Sequence, residues 1–282
     1  MLTKLSLAFF LFSVYEVLGQ DFFIYHSPDN KKLVSSKIDL KEFQRDSSFK
    51  VSVPHSTTNP NNETHLWEGI SLLSLIKFTN KTKIGAKDSV SIIANDNYTI
   101  GFDYETIRKE KTFVATLRNG QSIGHKLGEE QIIHPLADEK NPLRSGEWWA
   151  WFNKALVIGK IPPVIEISGK ALDLRSFKPD IKTSALPPYP VGISNALPSK
   201  DKVKISCLSM IKVPGFSETT KSLDIFTLNG NTQKISNPKD YAFCYLWNGK
   251  AINPWLGGPT QLCQIDKPTR CFFYIKSVTF NN

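Results

Sequence analysis

The chain has 282 residues, of which 40% are hydrophobic and 11% aromatic, and its formal net charge is +9 from 35 Lys and Arg against 26 Asp and Glu. This composition is typical of a folded globular protein and excludes a disordered or collagen-like chain. The basic residues are scattered and accompany no nucleic-acid-binding motif, so they indicate a solvated surface whose positive field suits an anionic ligand or a negatively charged partner.

The N-terminus has the pattern of a secretory signal peptide. Lys4 is the charged start, residues 5–15 are apolar, and a cleavage point lies near Gln20. Glu16 interrupts the apolar run before it reaches the length of a membrane span, and a retained anchor is the alternative. We therefore expect residues 1–19 to be removed and the mature chain to be exported, to the periplasm or as a secreted protein.

Residues 20–161 have the pattern of a strand-rich domain. Segments rich in β-branched and aromatic residues predict strands, and they read FFIY, FKVSVPH, DSVSIIAN, YTIGFDY, FVATLRNGQSI and WWAWFNKALVIG. IDLKEF is helix-like, and ISLLSLIKF predicts a helix that buries Ile70 and Leu73 on one face. Trp67 is expected at the junction between a polar loop and this second helix.

Residues 162–282 repeat this pattern. Pro162 and Pro163 mark the boundary, after which LDLRSF parallels IDLKEF. ISLLSLIK (70–77) recurs as ISCLSMIK (205–212), LRNGQSI (117–123) recurs as LWNGKAI (246–252), and an aromatic run follows each. Three matches in one order predict a duplication and two tandem domains, with boundaries at 20–161 and 162–282.

All four cysteines lie in the second part, at Cys207, Cys244, Cys263 and Cys271. An even number in an exported chain predicts two disulfides. Cys263 and Cys271 flank a short connection, so we favour that pair together with Cys207–Cys244, although other connectivities and free thiols stay open. The spacing does not favour a zinc site. The match to ISLLSLIK places Cys207 on a helix.

Five segments, taken in their order along the chain, resemble the oxidoreductase molybdopterin-binding domain of the sulfite oxidase fold. They read WEGISLLSLI, SIIANDNYTIGFDY, ATLRNGQSI, IIHPL and WWAWFNKALVI. The resemblance spans about residues 30–160 and, more faintly, 163–282. It implies an α+β, strand-rich fold made of two tandem sulfite-oxidase-like domains.

The chain departs from this family in its chemistry. Family enzymes hold molybdenum through a cysteine thiolate that follows the strand before an aromatic-x-Gly segment, but no cysteine occurs between Met1 and Ser206. The family's Gly-Pro-x-Arg loop reads GEEQ at 128–131 and GPTQ at 258–261, without arginine. The resemblance therefore points away from an enzyme, and a molybdenum-cofactor oxidoreductase with a non-thiolate site is one alternative.

The family also has exported, cysteine-less members that resemble pterin-binding modules, some of which report to membrane-bound cyclic-di-GMP enzymes. The resemblance implies a non-catalytic sensor that binds a pterin or molybdopterin-like ligand in its first domain and requires no cofactor. The second domain would be stabilising or would dock a membrane-bound signalling partner. A structural or interaction module with a vestigial pocket is the other alternative.

A flat heterocycle needs an aromatic wall and a few fixed polar groups at its edge. The candidate ligand-binding residues are His55, Trp67, Asp96, Arg118, Arg144 and Trp148. Their alternative roles are a core anchor for Trp67, a turn cap for Asp96, a surface loop side chain for His55 and a solvated side chain for Arg144. His125 and His134 have no metal-binding spacing, so no metal site is predicted.

Overall fold

The computed structural model describes residues 21–52, 63–79, 84–123, 131–137, 153–188 and 201–282. Within these ranges the protein is built mainly of strands, with two short α-helices, and the predicted strand-rich fold is confirmed. No helix in the described ranges is long and apolar enough to cross a membrane.

The elements of the first half, residues 21–158, are β1 Asp21–His26, β2 Val34–Asp39, β3 Ser47–Ser52, β4 Thr64–Ser71, α1 Leu72–Phe78, β5 Ser89–Ala94, β6 Thr99–Asp103, α2 Tyr104–Glu110, β7 Phe113–Arg118, β8 Gln121–Ser122, β9 Gln131–Ile133 and β10 Asn153–Ile158. The strands of the second half, residues 164–282, are β11 Val164–Ile167, β12 Lys170–Asp173, β13 Ile181–Ala185, β14 Val203–Ser209, β15 Ser222–Thr227, β16 Thr232–Ser236, β17 Tyr241–Trp247, β18 Lys250–Ala251, β19 Gln261–Gln264, β20 Cys271–Phe272 and β21 Ile275–Asn281. This half also has four 3-10 turns, at Leu174–Ser176, Met210–Lys212, Pro238–Asp240 and Pro254–Leu256.

Each half contains two sheets, and the strand order is the same in both halves. One sheet runs β2-β1-β10-β5-β6 in the first half and β12-β11-β21-β15-β16 in the second. Each has one parallel pair, β1 with β10 and β11 with β21. The other sheet runs β3-β4-β7, with β8 and β9 on β7, and corresponds to β13-β14-β17, with β18 and β19 on β17.

The main core of each half lies between its two sheets. In the first half Ile24, Ile92 and Leu156 from one sheet pack with Ile70 and Val114 from the other. The buried faces of α1 and α2 add further apolar side chains to this core. The second half has a corresponding cluster, which includes Ile165, Ile225, Val278, Leu208 and Phe243. Alternate residues of each strand therefore supply the core, as a half-buried sheet requires.

The strand pairing aligns the two halves differently from the match of sequence motifs. Trp67 lies opposite Arg118, and Ile205 lies opposite Trp247 in the equivalent strand pair. This makes Ser71 equivalent to Ser209, whereas the match of ISLLSLIK with ISCLSMIK paired it with Ser206. The sequence register was wrong because the motif resembles itself at a spacing of three residues, with an apolar residue before both Ser71 and Ser74.

Helix α1 begins two residues later than predicted. The Ser71 hydroxyl accepts a hydrogen bond from the Ser74 backbone N–H and so caps the helix, which leaves Ile70 in β4. Trp67 is consequently inside a strand, not at a loop–helix junction. Cys207 lies within β14, not on a helix.

Two other local predictions were wrong. IDLKEF forms the end of β2 and a turn, and LDLRSF forms the end of β12 and the 3-10 turn Leu174–Ser176. Both segments place an aspartate, Asp39 or Asp173, where its carboxylate accepts from the backbone N–H two residues later. This Asx-turn competes with a helix. The sequence also gave no warning of α2, which begins where the Asp103 carboxylate caps the Thr106 N–H.

The two halves meet through a buried apolar cluster and a set of turn contacts. Tyr25, Ile93 and Val157 of the first half pack with Leu228 and Tyr274 of the second. The side-chain amide of Asn229 donates to the carbonyl oxygens of Ala94 and Asn95, at 2.9 and 3.4 Å, and to Asn97 Oδ1 at 2.9 Å. The Tyr274 hydroxyl is also hydrogen-bonded to the Thr99 hydroxyl. This joint contains both apolar and polar contacts.

Candidate functional site

An aromatic face lies on the side of the β3-β4-β7-β9 sheet that is turned away from the main core. Trp67, Phe113 and Ile133 lie on this face, whereas their neighbours on the same strands point into the main core. Val51, Ala115, Ile123 and the edge of Phe49 complete it. We call this surface the aromatic face.

Trp67 anchors the aromatic face. Its side chain is only 2% exposed, and its indole N–H donates to the carbonyl oxygen of Val51 at 3.2 Å. The Arg118 guanidinium carbon lies 5.8 Å from the centre of the Trp67 ring, which is within the range of a cation–π contact. The structure therefore brings together two of the predicted ligand-binding residues, while the burial of Trp67 also agrees with the alternative role of core anchor.

A left-handed turn positions Arg118. Asn119 follows it with φ 52°, and the Asn119 side-chain oxygen accepts from the Leu66 backbone N–H at 2.8 Å. The Asn119 amide nitrogen lies 3.1 Å from Nδ1 of His65. Within the described residues Arg118 forms no ion pair with a carboxylate. Its charge is thus available to an anionic or carbonyl-bearing group.

Gln131 is a buried polar residue on the aromatic face. It lies opposite Ala115, which in turn lies opposite Gly69, so the three form one row across β9, β7 and β4. Gln131 is 2% exposed, and its Nε2 has no hydrogen-bond partner among the described residues. Because it lies two residues before Ile133, its side chain points to the same face as Trp67.

The two residues beside Gln131 have almost no side chain. A Cβ atom on Gly69 would lie 1.9 Å from the Val114 carbonyl oxygen, so only glycine fits where β4 meets the bulge of β7. Ala115 adds a single methyl group. The row therefore combines an unpaired buried donor with little side-chain volume, and an unpaired buried donor costs about 1–3 kcal/mol.

The second half fills the equivalent row. Cys207 and Cys244 occupy the positions of Gly69 and Ala115, and they form a disulfide. Gln261 occupies the position of Gln131, but its Nε2 donates to the carbonyl oxygens of Leu256 and Pro188, at 3.2 and 3.4 Å. Thus the second half has two sulfur atoms and a paired amide nitrogen where the first half has a glycine, an alanine and an amide nitrogen that has no partner among the described residues.

All four cysteines form disulfides, Cys207–Cys244 and Cys263–Cys271, and the predicted connectivity is confirmed. The chain has no other cysteine. No thiolate is consequently available to complete the coordination of molybdenum in the manner of the family enzymes, and the donor set does not fit that cofactor.

Asp96 lies on the turn between β5 and β6, in the other sheet. Its carboxylate accepts from the Tyr98 backbone N–H at 2.9 Å, and it therefore acts as the turn cap that was the alternative to ligand binding. The neighbouring Asn95 and Asn97 contact the second half. The structure does not bring Asp96 to the aromatic face.

His134 is fully buried, with its Nδ1 2.9 Å from the Thr112 hydroxyl and its ring edge-on to Phe102. No group of three or more His, Cys, Asp or Glu that could hold a metal occurs in the described ranges. His55, His125, Arg144 and Trp148 lie outside the described residues.

Sequence reasoning missed the role of Gln131, which was noted only as the residue that replaces the family's arginine. A signal was present, because a glutamine occupies the same place in GEEQ and GPTQ of the two halves. The repetition of a long polar residue at the start of a buried strand indicates a side chain with a specific partner.

No protein-family model matches the chain, and no curated protein matches it. Among solved structures, the sulfane dehydrogenase SoxCD from Paracoccus pantotrophus is similar with a TM-score of 0.36 and 11% sequence identity, over 92% of this chain and 79% of that one. The likeness is too distant to assign a function to this chain.

Proposed function

We propose that the protein is an exported, non-catalytic binding protein whose first half holds a flat, hydrogen-bonding heterocycle, such as a pterin, on the aromatic face. The buried Nε2 of Gln131, which has no hydrogen-bond partner within the described ranges, is the observation that supports this most strongly. A donor that is unpaired in the free protein gains a full hydrogen bond when a ligand carbonyl or ring nitrogen binds beside it.

The surroundings of Gln131 favour this class of ligand. Trp67 and Phe113 lie on the same face and are 2% and 0% exposed, so a flat ring packs against them where it replaces the contacts that now bury them. Gly69 and Ala115 leave little side-chain volume in the row. Arg118 adds a guanidinium that can hold a carbonyl or anionic edge by two parallel hydrogen bonds. His55, Arg144 and Trp148 remain candidates for the same site.

We further propose that the chain consists of two tandem sulfite-oxidase-like domains, 20–161 and 162–282, that arose by duplication. The identical strand order, the parallel pair in each half and the two left-handed Asn-Gly turns support this. Asn119 and Asn248 each accept from the backbone N–H of the adjacent strand, at 2.8 and 2.9 Å.

The second domain has a supporting role in this proposal, because the Cys207–Cys244 disulfide fills the row equivalent to the ligand site. Two disulfides are typical of a protein that folds in an oxidising compartment, which supports export to the periplasm or outside the cell. A sensor in that location would report to a membrane-bound signalling partner.

Titration of the purified protein with a reduced pterin, followed by tryptophan fluorescence, tests the proposal. Gln131→Met keeps the length of the side chain and removes the amide. We expect it to weaken pterin binding about tenfold, the effect of about 1.4 kcal/mol, while the ligand-free protein becomes no less stable because no existing hydrogen bond is lost.

Gln261→Met is the matched control. It removes the hydrogen bonds to Leu256 and Pro188, so it should lower the free energy of unfolding by about 1 kcal/mol and leave pterin binding unchanged. Absence of pterin binding to the wild-type protein would favour a structural module with a vestigial pocket. Stoichiometric molybdenum in protein purified from its native source would instead favour the oxidoreductase alternative.

A further inference from the structure

The two halves differ in the elements that follow β4 and β6 in the first half and the equivalent strands, β14 and β16, in the second. In the first half α1 and α2 follow β4 and β6, contact each other, and bury Leu72, Leu75, Ile76 and Ile107. In the second half the equivalent elements are single 3-10 turns, Met210–Lys212 and Pro238–Asp240, which bury only Met210 and Pro238. The second half therefore lacks most of the apolar packing that two helices supply in the first.

A groove of about 530 Å³ lies between these two 3-10 turns and the segment that follows the first of them. We call it the lysine groove. Ile211 lies at its edge and is 67% exposed, the highest value among the large apolar residues in the described ranges. Phe216 contributes a half-buried ring whose other edge packs against Phe280. Ile211 and the half-buried Phe216 are therefore the apolar side chains of the groove lining.

The charged residues of the groove lining are two lysines and one glutamate. Lys221 and Lys239 line it and form no ion pair with any described carboxylate, and Glu218 is its one acidic lining residue. Lys212, on the adjacent turn, is bound to Asp180 at 3.3 Å. The whole chain carries the same sign, with a net charge of +9. The excess of lysine over glutamate in the lining, together with the sign of the whole chain, favours a partner that presents negative charge around an apolar side chain.

We propose that the lysine groove binds an acidic helical segment of a partner protein, which packs an apolar face where the first half has its own α1–α2 pair. Leucine or isoleucine side chains of that segment cover Ile211 and Phe216, and its carboxylates pair with Lys221 and Lys239. The proposal is independent of ligand binding at the aromatic face.

Fluorescence anisotropy with a synthetic peptide tests this. The probe is a fluorescein-labelled peptide of about 14 residues, four helical turns, with leucines spaced one turn apart and glutamate elsewhere. We expect saturable binding to the full protein. Lys221→Glu with Lys239→Glu should weaken it at least about tenfold, and Ile211→Asp should weaken it to a similar extent.

The matched control is Lys50→Glu with Lys250→Glu, which changes the net charge equally at two exposed lysines outside the groove. It should leave binding within about twofold, since distant exposed charges are screened. Circular dichroism and the urea midpoint of each variant establish that it is folded.

Four results would overturn the proposal. They are absence of binding, equal weakening by the control pair, equal binding of a peptide in which serine replaces leucine, and unchanged binding by folded Ile211→Asp protein. Concentration-dependent dimerisation that Ile211→Asp abolishes would assign the groove to a second copy of the chain. Selective sedimentation with vesicles of anionic phospholipid, lost in the Lys221→Glu, Lys239→Glu variant, would assign it to a membrane.

Discussion

At the scale of single residues, each half has an aspartate whose carboxylate accepts hydrogen bonds from the last residue of a strand, β4 or β14, where the next helix or 3-10 turn begins. Asp46 accepts from the Ser71 N–H at 2.6 Å and from the hydroxyls of Ser71 and Ser74. Asp180 accepts from the Ser209 N–H at 2.8 Å, from the Ser209 hydroxyl and from Lys212. The sequence register that paired Ser71 with Ser206 concealed this equivalence.

These contacts make stability depend on pH. Partial burial acts to raise the pKa of each carboxyl, but the hydrogen bonds from the serines, joined by Lys212 at Asp180, outweigh it and hold both pKa values below the ordinary value. A carboxyl whose pKa is lower in the folded state stabilises the fold above its unfolded pKa, about 4, and this contribution is lost as the pH falls through the folded pKa.

We therefore expect the urea midpoint of the wild-type protein to fall as the pH is lowered from about 5 to about 3. The variant Asp46→Asn with Asp180→Asn should be less stable at neutral pH and should show a shallower decline over that interval. Asp266→Asn, at an exposed position in the β19–β20 turn, is the control. Parallel curves for the wild-type protein and the double variant would contradict the prediction.

At the scale of elements, each disulfide joins directly opposed residues of two adjacent antiparallel strands. Cys207–Cys244 links β14 to β17 and closes a loop with a sequence separation of 37, whereas Cys263–Cys271 links β19 to β20 across a separation of 8. A longer closed loop removes more conformational entropy from the unfolded chain. The two bonds should therefore differ in their contribution to stability.

Replacing the two cysteines of one disulfide by alanine measures the contribution of that disulfide to the free energy of unfolding. Loop closure predicts a loss of about 4 kcal/mol for Cys207–Cys244 and about 2.5 kcal/mol for Cys263–Cys271, from guanidinium unfolding of the oxidised variants. Each variant is the control for the other, because both remove two sulfur atoms from the same buried cluster. Equal losses would show that packing of the sulfur atoms, and not chain entropy, dominates.

The strands and the cysteine pairing could be predicted from the sequence, because alternation of apolar residues and the spacing of Cys263 and Cys271 are local signals. The start of α1 and the failure of IDLKEF to form a helix depended on side-chain caps at Ser71 and Asp39, which compete with helix propensity. The row of Gly69, Ala115 and Gln131 joins three strands that are distant in the chain, so no local pattern could reveal it.

At the scale of the whole molecule, the joint between the halves determines whether they unfold together. Asn229 is 3% exposed, and its side chain contacts the first half through its amide nitrogen and Thr227 through its oxygen. Buried groups that lose their partners are destabilised by about 1–3 kcal/mol each. This side chain therefore adds buried hydrogen bonds to the apolar cluster that joins the two halves.

Asn229→Ala should lower the free energy of unfolding by about 2–4 kcal/mol and separate the unfolding of the two halves in calorimetry. Asn231→Ala, which loses one exposed hydrogen bond to the Asn95 carbonyl, should cost less than about 1 kcal/mol. A small effect of similar size in both variants would show that the apolar cluster around Tyr274 alone holds the halves together.

The same contact has a consequence for the chemical ageing of the protein. Asn229 precedes Gly230, and an exposed asparagine before glycine deamidates readily because glycine offers no side chain to obstruct attack of its backbone nitrogen on the amide. In the folded protein the joint protects Asn229, because its side chain is buried and hydrogen-bonded and the Gly230 N–H donates to the carbonyl oxygen of Thr227. Conversion of Asn229 to aspartate would replace the donating nitrogen with a carboxylate oxygen that faces the carbonyl oxygens of Ala94 and Asn95. Deamidation of Asn229 therefore requires that the joint has first opened, and the aspartate that it leaves would prevent these polar contacts between the halves from forming again.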